Sequence, residues 1–219
     1  MRLFLDTASI EECRAAAKLG VISGVTTNPS LWARAGGGNY RDIILEIAAI
    51  IDGPISAECL SRDAEALVEE ARRVAGWHPN VVVKIPIDEV GLEATSRLSK
   101  EGVKVNTTLV FSTNQALLAA HAGATYVSPF VGRLDDVGHE GMDMVAEVVD
   151  IFDRYQFPTQ VIAASLRHPR HVIEAARAGA HIGTLPYAVL QAMLRHPLTD
   201  VGIERFLADA QKAMKTERV

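Results

Sequence analysis

The chain has 219 residues, 48% of them hydrophobic and 22% charged, the balance of an ordinary soluble globular protein with one large domain or two small ones. A net charge of −5 supplies no general basic field, so nucleic acid is not an expected partner and any anion must be met by a local site. Two cysteines, Cys13 and Cys59, cannot build a disulfide framework and suit a reducing cytoplasm; Arg2, Asp6, Glu11 and Glu12 do not suit a signal peptide; and the apolar run 43–51 is too short for a membrane span and carries Glu46.

Strand and helix signals alternate along the chain. Residues 2–5 read as a strand, followed by a helix with Ser9 and Glu12 as a capping box, ending near Gly20. A strand is expected at 21–25, then a helical region broken at Gly36-Gly37-Gly38 and resuming over 39–52. Strand 54–58 precedes helix 63–75, and strand 81–86 precedes helix 88–100. Strand 103–106 leads to helix 112–121, and strand 125–128 leads through a long loop to helix 141–155. Strand 159–163 with helix 169–178, and strand 180–183 with helix 186–194, complete about eight βα units. This predicts a single (β/α)8 TIM barrel over 1–219, with a doubly wound open sheet as the alternative. Residues 199–215 add a C-terminal helix, with Val201, Phe206, Ala210 and Met214 at helical spacing, to close a barrel end or pack on a neighbouring subunit.

Barrel active sites form at the C-terminal ends of the strands. In order those ends carry Asp6, Thr26 with Asn28, Glu58, Lys84, Asn106 with Thr108, Ser128, then Ser165 with Arg167. Lys84 stands inside the apolar run Val81-Val82-Val83-Lys84-Ile85-Pro86, where a lysine is rare unless paired or functional. Its strand neighbours alternate, so Val82, Lys84 and Pro86 share one face. Burial disfavours a charged amine, and a neutral amine can attack a carbonyl to form a Schiff base whose iminium lets a neighbouring carbon–carbon bond break. Asp6 and Glu58 are the candidate proton carriers, although Asp6 serves equally well as a helix cap by residue type. Asn28 and Asn106 suit sugar hydroxyls, or turns. Arg133 and Arg167, on adjacent loops beside Ser165, suit a phosphate clamp. His168 and His171 lack the further ligands of a metal set, and Gly36-Gly37-Gly38 has no Walker lysine, so no metal or other cofactor is expected.

Phe4-Leu5-Asp6-Thr7-Ala8, Gly24-Val25-Thr26-Thr27-Asn28-Pro29-Ser30, Val83-Lys84-Ile85-Pro86, Asn106 to Ser112 and Ser128 to Arg133 together resemble the transaldolase family, in its short microbial group that also holds fructose-6-phosphate aldolases. The resemblance spans essentially the whole chain. It implies that Lys84 is the Schiff-base lysine and that Asp6 moves the proton of the C4 hydroxyl. Glu58 with Thr108 and a water would serve formation and hydrolysis of the Schiff base. Asn28, Asn106, Ser128 and Phe130 would line the dihydroxyacetone site, and Arg133, Ser165 and Arg167 would bind the sugar phosphate. The implied reaction moves a dihydroxyacetone unit from fructose 6-phosphate or sedoheptulose 7-phosphate to erythrose 4-phosphate or glyceraldehyde 3-phosphate, in the non-oxidative pentose phosphate pathway. The implied assembly is a homo-oligomer, commonly a ring-built decamer. The aldolase group tends to carry glutamine, an apolar residue and tyrosine where this chain has Glu58, Asn106 and Phe130, which favours the transferase. Asp88 and Leu166 depart from the family's usual threonine and phenylalanine without touching the proposed chemistry. A non-catalytic sugar-phosphate-binding barrel is the alternative from another class.

Overall fold

In the computed structural model, which describes residues 1–216, eight parallel strands pair in sequence order and close on themselves. They are β1 (Arg2–Asp6), β2 (Val25–Thr26), β3 (Ile55–Glu58), β4 (Val81–Pro86), β5 (Val105–Val110), β6 (Tyr126–Pro129), β7 (Gln160–Ala163) and β8 (Ile182–Leu185). Closure comes from β1 pairing with β8 as well as with β2. The open-sheet alternative is thereby excluded, and none of these eight strands is left with an unpaired edge.

The helices are α1 (Ile10–Ala17), α2 (Pro29–Arg34), α3 (Tyr40–Ile50), α4 (Ala64–Ala75), α5 (Glu89–Lys100), α6 (Thr113–His121), α7 (Val131–Asp135), α8 (Gly141–Tyr155), α9 (Pro169–Arg177), α10 (Tyr187–Leu194) and α11 (Pro197–Thr216). Their starts follow local chemistry. The Ser9, Asn28, Asn39, Asp63, Asp88, Ser112 and His168 side chains each accept from a backbone N–H of the first turn. Ser9 therefore caps α1, and the capping reading of Asp6 falls away. Gly91 in α5 shows how closely helix and strand approach: a Cβ there would lie 2.0 Å from the Pro86 carbonyl oxygen.

The strand alternation sorts side chains into two apolar regions. Val81, Val83 and Ile85 face outward into the core shared with the helices. Val82 faces inward, where it packs with Phe4, Tyr126, Ile162 and Ile182 as a plug inside the barrel. Full burial of such side chains stabilises by roughly 1.5–3 kcal/mol each. Two residues further along the same strands, on the same inward face, stand Asp6, Lys84, Ser128 and Thr184. The register sets Glu58 opposite Lys84, Lys84 opposite Asn106, and Asp6 opposite Thr26. A polar layer thus sits on an apolar plug, and Lys84 points into the barrel.

Four elements differ from expectation. β2 is confined to Val25–Thr26, because Val21 is exposed and Gly24 lies against the Phe4 ring. β5 begins two residues later than expected and continues through Thr107 and Thr108, whose side chains are buried. β8 is likewise displaced towards the C-terminus and includes Thr184. The loop after β6 contains the short helix α7, which carries Arg133. The expected C-terminal helix is present as α11, but it does not cap the barrel: Leu198, Val201, Ile203, Phe206, Leu207 and Met214 are all exposed.

Candidate active site

A cavity of about 170 Å³ opens at the C-terminal end of the barrel, with Lys84, Asp6, Asn28, Ser128, Phe130, Arg133 and Ser165 in its wall. Lys84 is only 4% exposed. Its Nζ donates to the Thr27 carbonyl oxygen at 2.9 Å and pairs with Glu58 Oε2 at 3.0 Å. The amine head therefore lies in a polar nest rather than in the apolar barrel interior that the strand pattern suggested. A buried ion pair of this kind offsets the desolvation of both charges and leaves either partner costly to remove.

Glu58 is steadied from behind. Its backbone N–H donates to the Tyr40 hydroxyl at 3.1 Å, and that hydroxyl lies 2.6 Å from Thr27 Oγ1. Thr27 Oγ1 gives its own proton to the Ser56 carbonyl at 2.7 Å, so the Tyr40 phenol must be the donor between them. Burial raises the Tyr40 pKa, which keeps the phenol protonated for this role.

Asp6 lines the same cavity as the lysine. Burial raises its pKa, while Lys84, a hydrogen bond from Thr26 and the nearby Arg34 each pull it back down. Thr26 Oγ1 donates to Asp6 Oδ1 at 2.7 Å. An aspartate that gains a proton more readily than usual, beside a lysine, has the character of a general acid–base group.

The remaining expected residues divide into those in the cavity wall and those outside it. Asn28 lines the cavity and also caps α2, its Oδ1 accepting from Leu31 N at 2.9 Å, so the turn and binding readings are compatible. Asn106 is fully buried behind Ser128 rather than in the wall. Ser128 Oγ donates to Asn106 Oδ1 at 2.7 Å, and Asn106 Nδ2 donates to Ser56 Oγ at 3.0 Å. Thr108 is also fully buried and outside the cavity wall, and its hydroxyl has no hydrogen-bond partner among the described residues.

Phe130 packs edge-on against Phe111 and supports the Arg133 guanidinium, 5.0 Å above its ring. Ser165 holds a left-handed backbone conformation, φ +60°. Arg167 is not in the cavity wall; both its terminal nitrogens engage the Asp136 carboxylate at 2.5 Å each. That pairing raises the Arg167 pKa and lowers that of Asp136. Gly132 lets the loops after β6 and β7 approach closely: a Cβ there would lie 2.4 Å from the Ser165 carbonyl oxygen and 2.7 Å from Arg167 Nε. The histidine pair read as helix-start residues does act there, His168 capping α9 and His171 Nδ1 accepting from Arg167 N.

Three polar wall residues are not among the sequence candidates: Ser30, Arg34 and Thr184. Ser30 and Arg34 are four residues apart on α2 and share a helix face, a signal that could have paired them once Asn28 was placed at the site. Thr184 was hidden by the displaced boundary of β8.

The chain matches the family model described as Transaldolase/Fructose-6-phosphate aldolase over residues 3–218. A protein named "Probable transaldolase" from Heliobacterium modesticaldum is 63% identical over 209 residues, covering 95% of this chain and 97% of its own length. A second of that name, from Moorella thermoacetica, is 61% identical over 212 residues, covering 97% and 98% of the two chains. A third, from Desulforudis audaxviator, is 60% identical over 215 residues, covering 98% of this chain and 100% of its own. With both the family match and the relatives running nearly end to end over a barrel whose lysine faces a carboxylate-flanked cavity, this chain belongs to the transaldolase/fructose-6-phosphate aldolase family.

Proposed function

We propose that the protein is a transaldolase, a Schiff-base transferase that carries a dihydroxyacetone unit from a ketose phosphate to an aldose phosphate. The observation that carries this reading is the inward Lys84, ion-paired with Glu58 and facing Asp6 across one cavity. Lys84 passes a proton to Glu58, and the neutral Nζ adds to the ketose C2 carbonyl; Glu58 returns the proton to the carbinolamine hydroxyl, which leaves as water to give the iminium. The Asp6 carboxylate takes the proton of the C4 hydroxyl as the C3–C4 bond breaks, and its electron pair moves towards the iminium nitrogen. The aldose phosphate leaves, and the lysine-bound enamine adds to the next aldehyde as Asp6 returns the proton. Glu58 moves protons during carbinolamine formation and hydrolysis, and Thr108, with its unengaged hydroxyl, holds the water that takes part. Asn28 and Ser128, the latter oriented by Asn106, bind the three-carbon unit above Phe130. Arg133 and Ser165, with Arg167 swinging from Asp136, bind the phosphate. Sedoheptulose 7-phosphate and fructose 6-phosphate are the proposed donors, and glyceraldehyde 3-phosphate and erythrose 4-phosphate the acceptors, as in the non-oxidative pentose phosphate pathway.

A transferase must hold its enamine until an aldehyde arrives, whereas an aldolase protonates it and releases dihydroxyacetone. Glu58, Asn106 and Phe130 favour the first outcome, and the names of the three relatives point the same way. In a coupled assay with fructose 6-phosphate, product is expected to depend on added erythrose 4-phosphate or glyceraldehyde 3-phosphate. Free dihydroxyacetone released at a comparable rate without acceptor makes the protein an aldolase instead.

The proposed setting is the cytoplasm, in keeping with two free, buried cysteines; burial pushes the Cys13 thiol up to about 12 and the Cys59 thiol up as well. The proposed assembly is a homo-oligomer, a decamer of rings, in which α11 lays its apolar side on a neighbouring copy. Phe206 and Leu198, 75% and 73% exposed, are poor surface residues otherwise. Light scattering should give a multimer for the full chain and a smaller species for a chain ending before Pro197. Equal masses remove α11 from the interface.

A further inference from the structure

Asp6 is not held by Thr26 alone. Thr26 Oγ1 lies 2.6 Å from Thr184 Oγ1, and both residues are 2% exposed. In the closed ring β1 lies between β2 and β8, so these hydroxyls reach each other across the inner face of the strand that carries Asp6. A hydroxyl has one proton and can accept twice. When Asp6 is a carboxylate it has no proton to give, and Thr26 spends its only one on Asp6 Oδ1. The contact between the threonines must then be a donation from Thr184 to Thr26. When Asp6 takes up a proton, it can donate to Thr26, Thr26 to Thr184, and the Thr184 proton is left to point into the cavity that Thr184 lines.

We propose that Thr184 is a positioning residue for the reaction: the outer member of a three-oxygen chain, Thr184–Thr26–Asp6, whose hydroxyls stabilise the Asp6 carboxylate and reverse direction each time Asp6 gains or loses its proton. The proposal rests on the Schiff-base reading above, in which Asp6 moves the C4 hydroxyl proton. Its physical basis is preorganisation. A donor already aligned on a developing charge costs no reorientation at the moment of reaction, and a hydroxyl that itself accepts a hydrogen bond is the more polarised donor. The charged groups that also face Asp6 are Lys84 from β4, Arg34 from α2 and Glu58 from β3. None of them substitutes for Thr184, since two are cations acting through space and the third is an anion that opposes the Asp6 charge. The hydroxyl chain ends on Asp6, whereas Lys84 is engaged by Glu58 and the Thr27 carbonyl, so the chain bears on the carbon–carbon step.

Thr184→Val keeps the shape and removes the hydroxyl, and Thr184→Ser restores it. Transfer from fructose 6-phosphate to glyceraldehyde 3-phosphate is measured as kcat against pH, alongside borohydride trapping of the Lys84 adduct with fructose 6-phosphate. Thr184→Val is expected to lower kcat about tenfold. The acidic limb of its profile should move up by about half a unit, because the carboxylate has lost support. Trapping should stay at the wild-type level, and Thr184→Ser should return both the rate and the limb. If Thr184→Val does not fold, Thr184→Ala, which adds no bulk, is read in the same way. A wild-type acidic limb and rate in the hydroxyl-less variant overturns the proposal. So does an equal loss of rate and melting temperature in the valine and serine variants, which marks a structural role. Failure of the wild-type chain itself to transfer or to be trapped overturns the Schiff-base reading instead, so the two failures are distinct.

Discussion

Lys84→Met should lower transferase turnover by roughly 10⁴-fold or more, since the side chain proposed to bond covalently to substrate is gone. Borohydride with fructose 6-phosphate should leave a mass adduct on Lys84 of the wild-type chain and none on the variant. The same substitution should also weaken the fold, because Glu58, with a side chain only 11% exposed, is left facing Lys84's place as an uncompensated anion. Breaking a buried pair from one side costs about 3 kcal/mol. For a chain of this size that corresponds to a fall in melting temperature of roughly 6–12 °C. Lys84→Met/Glu58→Gln should recover most of that fall and none of the turnover. An adduct on the single variant removes Lys84 from the chemistry. An unchanged melting temperature means that the pair does not couple in solution.

Asp6→Asn should cost about 10²–10⁴ in kcat, the usual range for losing a positioned acid–base group, while KM moves little. The Schiff base should still form and be trapped, so the loss falls on carbon–carbon cleavage. The wild-type pH profile should show an acidic limb above the ordinary carboxylate range, because burial raises the Asp6 pKa and its basic form is lost sooner on acidification. The asparagine variant should lack that limb. The stability effect has the opposite sign. With a folded-state pKa above the unfolded one, ionising Asp6 opposes folding, and stability falls as pH rises between the two values. Asp6→Asn should therefore melt at pH 7 no lower than wild type. A retained limb, or a marked drop in melting temperature, would remove Asp6 from the proton-transfer role.

Much of this architecture was open to reading from composition and period alone. The alternation of short apolar runs with capped helices predicts a barrel because each run needs both faces covered. Lys84 was conspicuous because a charge in such a run has nowhere inexpensive to go. What escaped the reading shares one physical cause: local sequence reports burial by hydrophobicity, and this site is built from buried polar groups. Thr107-Thr108 reads as a loop but is strand, with both side chains buried. Gly183 before Thr184-Leu185-Pro186 reads as a strand ending, yet β8 runs on through Leu185 and brings Thr184 to the cavity. Asn106 was expected to face substrate, and instead it serves Ser128 from behind. Such second-rank contacts depend on register between strands distant in sequence. The grip of Asp136 on Arg167 likewise joins two loops that meet only once the ring has closed.

Ser165 has a further consequence for how this barrel can change. It and Leu109, which follows Thr108, are among the few non-glycine residues described with positive φ, at +60° and +57°. An L-residue in that region costs of order 1 kcal/mol that glycine would not incur. Glycine at 165 would relax the backbone and discard the hydroxyl proposed to meet phosphate. Asparagine at 6 would relieve a buried charge and discard the proposed proton carrier. At both places thermal robustness and turnover pull the same residue in opposite directions. A lineage of this barrel selected only for heat resistance would drift towards an intact, well-packed and idle fold.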